Sequence, residues 1–233
     1  MRNALILILL SFTGCQFEEI NRPESPPIER DPVEIPTTLS ESCFDYPDTL
    51  FGPNNWTNPT LNLPPGSIAI DFTLLDVDGE PHTLSELLAT KPVVVQTGSL
   101  TSPEYRNNID ATNDLQEEYG DDVHFVDIYT VEAYPETAVS PYKGEAFPLE
   151  FSDIENATTY EERLANATAL SELSDRNLVL VDDLSTNANN PFWCTFANAP
   201  NAAFVIDQEG TITSAQVFYN PEFLEFQIQQ VLP

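Results

Sequence analysis

Residues 93–105 read VVVQTGSLTSPEY, an apolar β-branched run, a short polar turn and the start of a helix. Ser102 ends the turn, and Pro103 and Glu104 follow it. That is the pattern of an N-cap with proline at the first helical position. A helix N-terminus stabilises an anion by about 0.3–1 kcal/mol, up to ~2 kcal/mol when partly buried. One pKa unit corresponds to about 1.4 kcal/mol, so the dipole moves a pKa by about one unit. A thiol at this point would move toward thiolate, with a pKa below its free value of ~8.5. A serine hydroxyl stays un-ionised. His82 and His124 offer no sequence pattern for a base that would activate it. Ser102 therefore reads as a cap before it reads as a nucleophile.

The remaining residues that could do chemistry are few. Cys194 lies in Pro191-Phe192-Trp193-Cys194, and Cys43 opens an aromatic stretch. Outside the cytosol such a pair is a disulfide candidate. It would close a loop of about 150 residues and stabilise the fold by roughly 5 kcal/mol in the chain-entropy account. The alternative is a redox pair, with Cys194 as nucleophile and Cys43 as resolving thiol. Asp121-Asp122 and Asp182-Asp183 are acidic pairs without partner histidines, so no metal site is expected. The Asp76–Glu80 run, DVDGE, lacks the ligands of a calcium loop and reads as a turn. No cofactor is implied.

Positioning these residues requires an α/β arrangement. The pattern predicts a strand over 68–75, a hairpin at Asp78-Gly79 returning through Pro81–Leu84, and a short helix over Ser85–Ala89. A buried strand follows over Pro92–Thr97. A helix runs from Ser102 to the stop at Gly120, with Ile109, Leu115 and Tyr119 on its apolar side. Val123–Tyr129 reads as a strand. Thr158 with Glu161 suggests a capping box for a helix through Ser174, with Leu164, Ala167, Leu170 and Leu173 inward. Leu178–Val181 is a strand and 182–199 a long polar loop. Ala202–Asp207 and Thr211–Phe218 form a hairpin, and a helix over Pro221–Leu232 closes the chain. This order predicts helices packed on a mixed sheet.

The N-terminus carries an address. Arg2, the apolar run Ala4–Leu10 and Phe12-Thr13-Gly14-Cys15 read as a secretory signal. The run is too short for a bilayer core of ~30 Å. It resembles a bacterial lipobox, which implies cleavage after residue 14 and lipidation of Cys15. Gln16 favours the outer membrane. Residues 15–42 hold five prolines among acidic and hydroxyl residues and read as a disordered tether. Residues 43–66 read as a loop-rich segment packed on the domain by its aromatics, and 67–233 as the domain itself. The full chain has 38 acidic residues against 8 Lys and Arg, a formal net charge of −30. That balance argues against nucleic acid and against peripheral binding to anionic lipid.

From Ile68 onward the element order resembles the thioredoxin fold in its redoxin form. In thioredoxin-like proteins a reactive cysteine or selenocysteine stands where Ser102 stands. Gly98-Ser99-Leu100-Thr101-Ser102-Pro103 resembles the nucleophile motif of iodothyronine deiodinases and their bacterial relatives. Tyr129-Thr130-Val131-Glu132-Ala133-Tyr134, Tyr160–Ala165 and Pro200–Ile206 resemble later segments of that family in the same order. The resemblance implies that the nucleophile position is Ser102, that the active-site histidine is replaced by Tyr134, and that Glu132 keeps the family identity. It also makes Pro200 a cis-proline candidate beside the site.

These readings combine into one expectation. The chain is a lipid-anchored protein of the bacterial envelope with a thioredoxin-like, deiodinase-related domain. Its catalytic position is substituted, and it binds a protein or small-molecule partner through the old cleft. A thiol oxidoreductase using Cys194 and Cys43, or a structural envelope lipoprotein, are the alternatives.

Overall fold

The computed structural model describes residues 61–136, 154–174, 178–183, 191–199 and 201–232. The stretches expected to be a signal and a tether, with Cys15, and Cys43 and Pro200 as well, lie outside the described residues.

Seven strands form one sheet in the order β2-β1-β5-β4-β3-β6-β7. They are β1 (Thr73–Asp76), β2 (Pro81–Thr83), β3 (Val93–Gly98), β4 (His124–Tyr129), β5 (Val179–Val181), β6 (Ala203–Ile206) and β7 (Ile212–Gln216). β3 pairs in parallel with β4, and β4 with β5, while every other pairing is antiparallel. The centre is the β-branched run 93–95, buried on both faces as a parallel sheet requires.

Among the described residues six helices accompany the sheet: α1 (Leu84–Leu88), α2 (Pro103–Asn107), α3 (Ile109–Tyr119), α4 (Tyr160–Ser174), α5 (Pro191–Thr195) and α6 (Pro221–Val231). Alternation along the strands sorts the core into two halves. Val95, Val126, Ile128, Leu180 and Phe204 face α1 and α5. There Phe192 and Phe196 stack with centroids 4.2 Å apart, and Phe72 and Phe204 meet them edge-on. Val94, Phe125, Tyr129, Val179 and Val205 face α2, α3, α4 and α6.

Several sequence expectations need correction. The first strand is confined to Thr73–Asp76, because the Asp71 carboxylate turns to the Ser85 N–H (3.0 Å) and Oγ (2.8 Å) at the start of α1. Ile68 makes only an isolated bridge to Thr211. The hairpin forms around Gly79, whose φ of 86° suits glycine. The helix expected over 103–119 is broken at Asn108, whose Nδ2 donates to the Glu104 carbonyl at 2.8 Å.

The capping box is shifted by one. Thr159 Oγ1 accepts the Glu162 N–H at 3.2 Å, and Glu162 Oε2 accepts the Thr159 N–H at 3.3 Å. In α4 the inward stripe is Arg163, Ala167, Leu170 and Ser174, and Leu173 is exposed. A strict three-residue spacing drifts off a 3.6-residue helix, whereas steps of four, three and four stay on one face. The loop 182–199 contains α5. Residues 61–66 already belong to the folded body. Asn62 and Leu63 donate their N–H groups to the Phe196 carbonyl at 2.8 and 3.3 Å.

Candidate functional site

Ser102 caps α2 as its sequence implies. Its backbone is extended, and its Oγ accepts the Tyr105 N–H at 3.3 Å. The residue is 0 % exposed. Leu100, Thr101 and Tyr134 beside it are buried as well. The turn is pinned from both ends. Gly98 lies against the Tyr105 ring so closely that an added Cβ would come within 2.3 Å of it. The Tyr105 hydroxyl donates to Asp127 Oδ2 at 2.5 Å, which ties α2 to β4. The Arg106 guanidinium donates to the Leu100 carbonyl at 3.2 Å.

Thr101 connects the three site residues expected from the sequence. Its N–H and Oγ1 donate to Glu132 Oε2 at 3.1 and 2.7 Å. The Thr101 Oγ1 in turn accepts the Tyr134 N–H at 3.0 Å. The Tyr129 hydroxyl accepts the Leu100 N–H at 3.3 Å and donates to Glu132 Oε1. Asn166 Nδ2 reaches the same oxygen at 3.5 Å, and Asn156 Oδ1 accepts the Glu132 N–H at 2.9 Å. The Thr101 N–H and hydroxyl, the Tyr129 hydroxyl and the Asn166 amide therefore all end on the buried Glu132 carboxylate. Burial raises its pKa above the usual carboxylate range, against the Tyr129 and Thr101 hydrogen bonds and the Arg163 charge. Burial, together with the Glu132 charge and hydrogen bond, raises the Tyr129 hydroxyl well above its ordinary value. Tyr134 is also raised, by burial and then by the Glu104 charge.

A second buried acid has a different role. Asp182 follows β5, and its two carboxylate oxygens accept the Phe192 and Trp193 N–H groups at 2.8 and 3.0 Å. Its carbonyl accepts from Arg163 Nη1 at 3.0 Å. Burial raises the Asp182 pKa to about 6 despite the Arg163 charge and these hydrogen bonds. Asp182 thus holds α5, the helix that carries Cys194. Cys194 is buried there. α5 packs on the sheet face opposite α2, so the loop does not lay Cys194 over Ser102.

Pro200 lies outside the described residues, but its neighbours are gripped by β3. Thr97 Oγ1 donates to the Ala199 carbonyl at 3.1 Å and accepts the Ala202 N–H at 2.8 Å. Sequence reasoning gave no role to Thr101, Arg163, Asp182, Asn156 or Asn166. Their signal is weak because each partner lies far away in the chain. His82 pairs with Asp76 at 2.8 Å beside the hairpin, and His124 Nε2 meets Thr90 Oγ1 at 2.6 Å. Neither histidine reaches the Ser102 turn. Among the described residues no three His, Cys, Asp or Glu side chains are grouped to hold a metal ion.

A parallel β3-β4-β5 core flanked by antiparallel strands, with a capped helix after its central strand, defines a thioredoxin-like protein. The fold is similar to the solution structure of a candidate protein disulfide isomerase from Bacteroides thetaiotaomicron (TM-score 0.53, 19% identity, 76% of this chain and 94% of that one). It is also similar to a candidate thiol:disulfide interchange protein DsbE from Chlorobium tepidum (TM-score 0.50, 16% identity, 73% and 99%). A profile of the iodothyronine deiodinase family matches residues 62–219, and the chain belongs to that family. It is 32% identical over 127 residues to type II iodothyronine deiodinase of Bos taurus, a stretch covering 52% of this chain and 45% of that relative.

Proposed function

We propose that this chain is a lipid-anchored, extracytoplasmic member of the deiodinase family that acts as a binding or interaction module, without redox chemistry at residue 102. The observation that carries this reading is the state of Ser102. It stands at the start of α2, where the resemblance places the family's nucleophile, and its oxygen is used instead as a buried cap. A serine oxygen can form neither a mixed disulfide nor a bond to halogen as a selenolate does. The Glu132–Thr101–Tyr129 network survives around it as a rigid, closed floor. α2 is also only five residues long, and enclosure of residue 102 opposes ionisation of any group placed there.

The experiment is a paired assay on the mature protein. Binding of an iodothyronine is measured by calorimetry, and reduction of iodothyronine and peroxide by turnover with a dithiol. Saturable binding without turnover is expected. Turnover that persists in Ser102→Ala and disappears in Cys194→Ser would overturn the reading in favour of the thiol oxidoreductase. Neither binding nor turnover would favour a structural envelope protein.

Two further parts of the reading have their own checks. Asn62 Nδ2 donates to the Cys194 carbonyl at 2.8 Å, which sets Asn62, nineteen residues after Cys43 in the sequence, against α5 and supports a Cys43–Cys194 bond. Peptide mapping without reduction should recover that pair, and a free Cys43 would refute it. Lipidation of Cys15 predicts that Cys15→Ala leaves the membrane fraction or remains uncleaved. Processed mutant protein partitioning normally would refute it.

A further inference from the structure

The sheet face under α3 and α6 carries a row of polar side chains. Gln96 on β3 is level with Asp127 on β4 and with Ala203 on β6, and Ala203 is level with Gln216 on β7. Neighbouring strands are about 4.8 Å apart, so the two glutamines flank a gap of ~10 Å at whose centre stands only the Ala203 methyl. Both glutamines lean toward the same end. Gln96 Nε2 donates to Asn201 Oδ1 at 2.9 Å. Gln216 Oε1 accepts the Asn220 N–H at 2.8 Å. Asn201 lies at that end too, bridged to Phe218 and accepting the Tyr219 N–H on its carbonyl at 2.8 Å. Three amides therefore converge beneath Asn220, the N-cap of α6.

Their hydrogen bonding is unbalanced. Gln96, Asn201 and Gln216 are 2 %, 0 % and 9 % exposed. Gln96 Oε1, Asn201 Nδ2 and Gln216 Nε2 are buried without a partner among the described residues. Turning over both the Gln96 and Asn201 amides does not help, because the pair would again make one bond and leave one donor and one acceptor. Buried polar groups are paired in folded proteins, by protein or by ordered water. The unmet set is one acceptor and two donors. A single water matches it, giving one hydrogen to Gln96 and accepting from the two amides. About three such bonds is the usual count for a buried water.

We propose that Gln96, Asn201 and Gln216 form a binding site for one internal water molecule behind Ala199 and Ala202. Thr97 holds Ala199 and Ala202 from one face of the sheet, and the hydrated amides hold Asn201 from the other. The three lining amides carry no charge, and Oδ2 of the neighbouring Asp127 carboxylate is turned to the Tyr105 hydroxyl. The site is therefore suited to water rather than an ion.

The test is water–amide cross-relaxation by NMR on the mature protein, with a high-resolution crystal structure beside it. The Asn201 and Gln216 side-chain amides should both contact one long-lived water. Tyr219 and Thr112 hydroxyls bond each other nearby at 2.6 Å, so Tyr219→Phe is the control for relayed signals and should keep the contacts. Gln216→Met removes one partner of the water, and Ala203→Val fills the gap without touching an amide. Each should abolish the water contacts and speed exchange of the Tyr219 backbone amide roughly tenfold. Wild-type protein showing no water contact, with Gln216 Nε2 seated directly on Gln96 Oε1, would overturn the proposal. So would water contacts that persist in both variants.

Discussion

Helices α2 and α5 are both five residues long, yet they are held in different ways. The first turn of α2 is capped by Ser102, a neutral group three residues from the N–H it accepts. The first turn of α5 is held by the Asp182 carboxylate, ten and eleven residues upstream, with the Arg163 guanidinium on the same residue's carbonyl. The neutral cap is local and tied to no titration. The charged one is remote, and it carries the desolvation cost of a buried ion. A hydroxyl does the capping at the first of these places, and a buried carboxylate does it at the second.

The largest test of that contrast is Asp182→Ala. It leaves the Phe192 and Trp193 N–H groups without their acceptor and removes one of the carboxylates facing Arg163, and should cost about 3–5 kcal/mol in urea denaturation. A loss below about 1 kcal/mol would mean that apolar packing alone holds α5.

A pH series sharpens the same point. Asp182 rises from 3.8 to about 6 on folding, so between those values the folded state binds more protons than the unfolded one. Stability from this group must therefore fall as pH rises through that window, by about 3 kcal/mol in all. Asp182→Asn should lose that part of the slope, as measured by melting temperature against pH. Equal slopes in the two proteins would show that the carboxylate does not titrate there.

On the α2 side the effects should be smaller. Gly98→Ala drives a Cβ into the Tyr105 ring and should cost about 1–3 kcal/mol, with the Tyr105–Asp127 bond strained. Thermal unfolding with near-ultraviolet dichroism would detect both effects. Ser102→Ala should cost only about 0.5–2 kcal/mol, with a pH profile parallel to wild type. A pH-dependent loss would mean that Ser102 is coupled to Glu132 after all.

The contrast also explains what could be read beforehand. The Ser102-Pro103 cap, the Asp78-Gly79 hairpin and the run 93–97 depend on residues a few positions apart, and they are legible as sequence. Leu173 was misplaced because α4's phase is set by what faces it across the sheet. Arg163 looks like a solvated residue in YEERLA, yet it is buried because partners from β5 and the Glu132 turn converge on it. The acidic pair Asp182-Asp183 carries no hint of α5, since the helix it caps is identifiable only once the chain has returned to it.

The enclosure of residue 102 gives the position a use of another kind. A cysteine installed there could meet an alkylating reagent only while the 98–105 turn is open. Its labelling rate would then report how often that turn opens, much as amide exchange reports the opening of a helix. Ser102→Cys would act as a clock on the local breathing of the site, readable by mass against a fully exposed cysteine.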